Sequence, residues 1–123
     1  MDRTGKEYEN FVSILQQAIL SSEEYIKQKN IVIEKNKIIK DKNGLDREFD
    51  LYWEYELGGL TYKTVIECKD YKSPITVEKI DALIGKIQDI PELKGVFATK
   101  TGYQSGTKTK AKKNGIELLI VRE

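Results

Sequence analysis

The chain has no histidine, one cysteine, one tryptophan, one methionine and two prolines among its 123 residues. Without histidine there is no Ser-His or Cys-His nucleophile pair, no His-ligated zinc and no imidazole general base. The lone cysteine, Cys68, excludes an internal disulfide and a Cys-x-x-Cys centre. No apolar run approaches the roughly 20 residues of a membrane span, and no basic-then-apolar leader opens the sequence. A soluble, cytoplasmic chain with no membrane partner is therefore expected. Any chemistry it performs must come from carboxylates and lysines, with or without a hard metal ion.

Charge is abundant, at 33% of residues, but it nearly cancels: 21 Lys and Arg stand against 20 Asp and Glu. With 39% hydrophobic residues, a chain of this length buries roughly two-thirds of its surface and supports one core. No repeat, low-complexity tract or Pro/Ser-rich linker divides it, so residues 1–123 read as a single domain. The positive charge is unevenly placed. Lys100, Lys108, Lys110, Lys112 and Lys113 fall in an acid-free stretch from Lys100 to Gly115. Such a run is either a solvated basic face or a surface for phosphates.

Tyr8, Phe11, Val12, Leu15, Ala18 and Ile19 recur at helical spacing, predicting an amphipathic helix from about Gly5 to Lys27. Ile31-Val32-Ile33 reads as a short strand continued or re-entered at Ile38-Ile39, before a turn at Asp41-Lys42-Asn43-Gly44. Phe49, Leu51, Trp53, Tyr55 and Leu57 then alternate with Asp50, Tyr52, Glu54 and Glu56, the period of a strand with one buried face. Gly58-Gly59 suits a tight hairpin turn, and Leu60 to Lys69 returns as the partner strand. Val77, Ile80, Leu83, Ile84 and Ile87 share a helical face ended by Pro91. A strand at Gly95–Thr99, a loop, a short lysine-rich helix stopped at Asn114-Gly115 and a last strand at Ile116–Val121 complete the chain. The order αβββαβαβ predicts an α/β fold, a mixed central sheet flanked by helices.

A two-residue turn at Gly58-Gly59 fixes a register. It pairs Glu54 with Lys63 as a cross-strand ion pair, Leu51 with Ile66, Asp50 with Glu67 and Glu48 with Lys69. Asp50, Glu67 and Lys69 then share one face at the end far from the turn. Opposed side chains have Cβ atoms roughly 4.5–5.5 Å apart, where two like charges are destabilising. A divalent cation with oxygen ligands resolves the conflict, since Mg²⁺ takes one or two carboxylates plus waters and substrate phosphate. The backbone carbonyl of Cys68 is the nearest further ligand, and Lys69 can contact a phosphate, orient water or stabilise developing charge. The alternative is a plain charge cluster in which Lys69 neutralises the two acids. A turn of another length would also slip the register and separate them. Trp53 reads as core, and Cys68, alternating away from Glu67, as a small buried hydrophobe.

Asp50 followed by Glu67-Cys68-Lys69 on the second strand of a hairpin resembles the PD-(D/E)XK motif of restriction-endonuclease-like nucleases. Gly5-Lys6-Glu7-Tyr8-Glu9 is similar to the G-x-x-[FY]-E opening of the Mrr-like branch, and Glu67-Cys68-Lys69-Asp70-Tyr71 to its E-x-K followed by an aromatic. Gly102-Tyr103-Gln104-Ser105-Gly106 and Gly115-Ile116-Glu117-Leu118 resemble its later G-[FY]-x-x-G and G-I-x-L segments. Two departures stand out: Phe49 occupies the motif's proline position, and Arg47-Glu48 precedes the aspartate where the branch often has glycine. The second keeps Glu48 in view as a competing acid.

The resemblance implies a restriction-endonuclease-like core and a Mg²⁺-dependent endonuclease, with Mn²⁺ as a substitute, that hydrolyses DNA phosphodiester bonds. Asp50, Glu67 and the Cys68 carbonyl would bind the metal, Lys69 would assist the nucleophilic water, and Glu9 would orient or support a second metal. Lys100, Gln104, Lys108, Lys110 and Lys112 would contact DNA, positioning it rather than reading its sequence. At Gln104 a capping role for Ser105 or Thr107 explains the composition equally well. One such site per chain makes double-strand cleavage easier for a homodimer, and a separate subunit is expected to supply recognition where the core alone does not. A Holliday-junction resolvase of the same fold and a non-catalytic DNA-binding module are the rivals.

Overall fold

A computed structural model describes residues 5–22 and 31–122. Helix α1 (Gly5–Ser22) leads into β1 (Glu34–Lys40), β2 (Asp46–Leu57) and β3 (Leu60–Lys69). Helix α2 (Val77–Ile87), β4 (Leu93–Thr99), α3 (Ser105–Lys113) and β5 (Glu117–Ile120) follow. The expected order αβββαβαβ is the order found, in one five-stranded sheet whose strands lie in sequence order. β1, β2 and β3 run antiparallel, and β4 and β5 join parallel to β3. The two parallel joins are crossovers through α2 and α3, which a parallel connection requires.

Both faces of the sheet are covered. Tyr8 and Val12 of α1 pack on Leu51, Trp53, Ile66, Cys68, Val96 and Ala98. On the opposite face Ile80 and Leu83 of α2 and Ala111 of α3 pack with Phe49, Tyr52, Val65 and Phe97. Two tyrosine hydroxyls tie the layers to the sheet ends: Tyr8 donates to the Val121 carbonyl at 3.0 Å, and that of Tyr103 lies 2.8 Å from the carbonyls of Phe97 and Leu119. Trp53 is core, as its period predicts.

Several expectations change on contact with tertiary structure. Ile31 and Ile33 are buried and Val32 is exposed, but the segment is no strand, because Gln17 of α1 takes its backbone groups: the side-chain amide donates to the Ile31 carbonyl at 2.9 Å and accepts from the Ile33 N–H at 3.0 Å. Only the first half of the predicted apolar face of α1 is buried; Leu15 and Ile19 lie beyond the sheet and are exposed. The predicted extension of that helix to Lys27 falls outside the described residues. Thr107 does not cap α3. Its hydroxyl is fully buried and donates to the Ile75 carbonyl at 2.8 Å, while Gln104 takes the N-cap position without a side-chain bond.

The β2–β3 hairpin keeps the predicted register from Leu57–Leu60 to Leu51–Ile66. Gly58 and Gly59 take φ of 62° and 82°, the left-handed pair of a type I′ turn. Glu54 and Lys63 are opposed as expected, yet no ion pair joins them. The Tyr52 hydroxyl, two residues back on the same strand, donates to Glu54 at 2.7 Å instead.

The expected alternation of β2 fails at Asp50. Leu51 and Trp53 face α1, but Phe49, two residues before Leu51, faces α2. β1 switches at the same level. Lys35 reaches Asn10 of α1, whereas Lys37 lies 5.1 Å over the Tyr52 ring on the other side. Between them Asn36 adopts φ 53°, and the pair Asn36–Asp50 is missing from the ladder. A local irregularity of this kind re-aims side chains. Here it turns Phe49 under α2 and leaves Asp50 at the level where the sheet changes face.

Candidate active site

The ladder between β2 and β3 stops at Leu51–Ile66, so the expected pairs Asp50–Glu67 and Glu48–Lys69 do not form. The reason is the Asp50 side chain. Its Oδ2 accepts from the Cys68 N–H at 2.8 Å, taking the place of the strand partner. In an extended strand the N–H and C=O of one residue point to the same neighbour. The Cys68 carbonyl therefore also faces the gap where β2 and β3 part. Beyond the gap β3 continues beside β4, with Glu67 opposite Phe97 and Lys69 opposite Thr99.

Glu67 and Lys69 keep the predicted common face, toward α2, where both line a cleft of about 250 Å³. Glu67 is 8% exposed. Burial pushes its carboxyl above the ordinary range, Asp50 pushes it further, and Lys86 and Lys69 pull it back. Glu9 reaches the same place from α1 and is buried. Its carboxyl is also raised, first by burial and then by Asp50, which lies within hydrogen-bond reach, while Lys6 opposes both. Asp50 thus stands between two other acids, one from each side of the sheet. Cys68 is turned to the α1 face, and burial followed by the Asp50 charge raises its thiol so far that it stays protonated. That agrees with the apolar role expected for it.

Each outer acid has a lysine. Lys6 lies 3.2 Å from Glu9 and donates to Asn36 at 2.6 Å, bracing the irregular residue of β1. Lys86 of α2 lies 2.9 Å from Glu67, and its ammonium stands 4.7 Å from the centre of the Phe49 ring. The sequence reading missed Lys86. The apolar face drawn through Val77, Ile80, Leu83 and Ile87 assigns it to solvent, although it sits three residues after Leu83 and on the same side of the helix. Glu48, the competing acid, is exposed opposite Ile38 and takes no part in this group.

Among the described residues no three His, Cys, Asp or Glu side chains come close enough to form a ready-made metal cage. The donor set nevertheless suits a hard cation that needs little from the protein. Mg²⁺ is held by one or two carboxylates together with waters and phosphate oxygens. Asp50 and Glu67, two mutually repelling acids beside a carbonyl freed from the ladder, meet that requirement.

The residues expected to touch DNA are spread more widely. Lys108, Lys110 and Lys112 are exposed on α3, and Lys110 lies 3.5 Å from Asp81 of α2. Gln104 is exposed at the start of that helix. Lys100 is drawn inward, 2.6 Å from Asp70, whose side chain is only 7% exposed. No helix among the described residues is long and apolar enough to cross a membrane.

Solved structures share the fold, among them the following three. A protein of unknown function, AF1548, superposes with a TM-score of 0.67 and 19% identity over 89% of this chain and 54% of its own. Can2 from Sulfobacillus thermosulfidooxidans, in complex with cyclic tetra-adenylate, gives 0.61 and 24% over 93% of this chain and 29% of its own. The MspJI restriction endonuclease, in complex with a 27-mer oligonucleotide, gives 0.59 and 11% over 90% of this chain and 24% of its own. The chain thus spans about half of the first and less than a third of the other two. No curated protein matches the sequence. The restriction-endonuclease model of the Mrr catalytic domain matches residues 7–123, and the chain belongs to that family.

Proposed function

We propose that this domain is a metal-dependent endonuclease that hydrolyses phosphodiester bonds in DNA. The observation that carries the reading is the break in the β2–β3 ladder. It sets Asp50 beside Glu67, frees the Cys68 carbonyl and leaves Lys69 on the Glu67 side of the cleft. Family membership and a restriction endonuclease with an oligonucleotide on the same fold support DNA as the substrate.

Asp50 and Glu67 would hold the divalent cation, Mg²⁺ or Mn²⁺, with the Cys68 carbonyl as a third oxygen. When bound, it supplies Lewis acidity at the phosphate and acidifies water. Hydrolysis makes one P–O bond to water and breaks one to the leaving sugar oxygen. Lys69 offers its ammonium to the negative charge that grows on the phosphate during that exchange, and holds the attacking water by a hydrogen bond. Glu9, raised by burial and by Asp50, accepts hydrogen bonds from water on the α1 side and orients Asp50. Lys108, Lys110 and Lys112 contact backbone phosphates, which position the duplex without reading it. A homodimer would bring two such sites to the two strands, and a separate subunit would supply recognition.

A plasmid-nicking assay with and without Mg²⁺ or Mn²⁺ tests the reading, with Lys69→Ala beside the wild type. Metal-dependent nicking that falls by about 10²–10³-fold in the variant is the expected result. Clean wild-type protein that shifts DNA at low salt but never cuts would overturn it in favour of a binding module.

A further inference from the structure

Helix α2 lays Lys79, Ala82, Leu83 and Lys86 along the cleft that holds Glu67 and Lys69. Of these lysines, Lys86 makes the ion pair with Glu67, 2.9 Å from Oε1, with side chains 26% and 10% exposed. Lys69, on the same strand as Glu67, acts on it only through its charge. Phe49 supplies the seat for Lys86, and it reaches that position only because β2 changes face at Asp50. One irregularity therefore builds both the acid pair and the perch of the cation that answers it.

The pairing has a physical reason. Two carboxylates removed from water and close together leave an uncompensated charge, which costs several-fold more than any surface pair returns. Some cation must sit on Glu67 whenever no metal does. A lysine suits a temporary post: its charge is a compact point on a flexible four-carbon stem, with three donors that can be re-aimed. The cleft also gives it somewhere to go, since Lys69 and Lys79 line the same space and make it attractive to a phosphate.

We propose that Lys86 is an exchangeable counter-ion. It neutralises Glu67 while no divalent cation is bound and passes to a substrate phosphate when the cation takes that carboxylate. The proposal rests on the nuclease reading and goes beyond it, because it assigns a positioning role to a helix residue outside the Asp-Glu-x-Lys set. A fixed ion pair would stay on Glu67 beside the metal and leave the salt slope of DNA binding unchanged when it is removed. An exchangeable one gives up the carboxylate and adds a phosphate contact.

The test is calorimetric titration of Mn²⁺ into wild type, Lys86→Met and Lys86→Arg without DNA, at pH 8 to keep the carboxylates ionised. Methionine keeps the stem over Phe49 and removes the charge, so Mn²⁺ should bind about tenfold tighter, the weight of one charged hydrogen bond. Arginine holds a carboxylate by two bonds, so Mn²⁺ should bind several-fold more weakly. In a Lys69→Ala background with Mn²⁺ present, Lys86→Met should also lower the salt slope of duplex binding by about 0.9, one phosphate contact. Mn²⁺ affinity unchanged or weakened by Lys86→Met overturns the proposal and leaves Lys86 structural. If that variant does not fold by circular dichroism, the arginine variant decides, and affinity equal to or above wild type overturns it. Wild type that neither takes up Mn²⁺ nor cuts DNA defeats the nuclease reading itself, and the exchange with it.

Discussion

The hairpin of β2 and β3 has two ends built on opposite terms. Near the turn, every residue from Leu51 to Leu57 has its partner on β3, two glycines supply the left-handed angles, and Tyr55 stacks on Tyr62 at 5.3 Å. Its charged residues, Glu54 and Glu56, are exposed. At the other end the ladder stops, β2 changes face, and acids from three elements are drawn together under cover. The turn end follows the local rules of strands and gains stability from them. The far end sets aside the pairing of Asp50 and the solvation of Glu67, a loss of stability in the arrangement proposed above to take a cation. Strain of this type gathers where function sits.

The strongest test of that contrast is Asp50→Asn. The amide oxygen can still accept from the Cys68 N–H, so the local bond survives while the charge is lost. Cleavage should fall by about 10³-fold, the upper end of what removing one electrostatic group costs. Stability without metal should instead rise by up to about 1 kcal/mol, because Glu9 and Glu67 lose a like-charged neighbour. Thermal unfolding in EDTA would show a gain of a few degrees, about 3–5 °C for a domain of this size. A variant that is both inactive and less stable would mean that Asp50 serves the fold rather than the site.

A smaller effect separates the two ends by pH. Glu67 has its folded carboxyl raised, by burial first and Asp50 second. Its folded state then binds a proton more readily than its unfolded state. The sign follows: the favourable contribution is complete below the unfolded value and is lost as pH rises through the folded one. Metal-free protein should gain stability as pH falls toward the ordinary carboxylate range, against the usual trend of paired carboxylates. Glu67→Gln should reduce that slope in urea denaturation and leave the share of Glu9, whose carboxyl is raised in the same way. A profile identical to wild type would place the pH response elsewhere.

The same division marks what the sequence reveals. The regular end is legible because its rules are local: period-two alternation, a Gly-Gly turn and a register counted outward from it. Asp50, Glu67, Lys69 and Glu9 were legible as residues, through motif spacing and family likeness, but their arrangement was not. Alternation places Phe49 and Leu51 on one face, and nothing in the order of residues announces that Asn36 and Asp50 interrupt both strands at one level. Ile31-Val32-Ile33 reads as a strand because two of its three apolar residues, Ile31 and Ile33, are core; the Gln17 amide that claims its backbone comes from a helix fourteen to sixteen residues earlier. Lys86 was invisible for a similar reason. A helix pattern shows which face is apolar, while only the packed sheet shows that this face ends at a buried glutamate.

The smallest expected effect belongs to the turn end. Glu54 and Lys63 are opposed across the strands without an ion pair, and the Glu54 carboxylate takes the Tyr52 hydroxyl at 2.7 Å. Lys63→Met should therefore change stability by no more than about 0.5 kcal/mol, because the half-buried Lys63 makes no ion pair with Glu54. Glu54→Gln keeps an acceptor for Tyr52 and should stay within the same bound. Combined in one chain, the two changes should add to within about 0.5 kcal/mol, since without an ion pair only a solvent-screened attraction couples them. Cleavage should remain at the wild-type rate, because neither residue reaches the end where Asp50 stands. A coupling of 1 kcal/mol or more in the double-mutant cycle, or a loss of nicking, would show that the two ends of the hairpin are not independent.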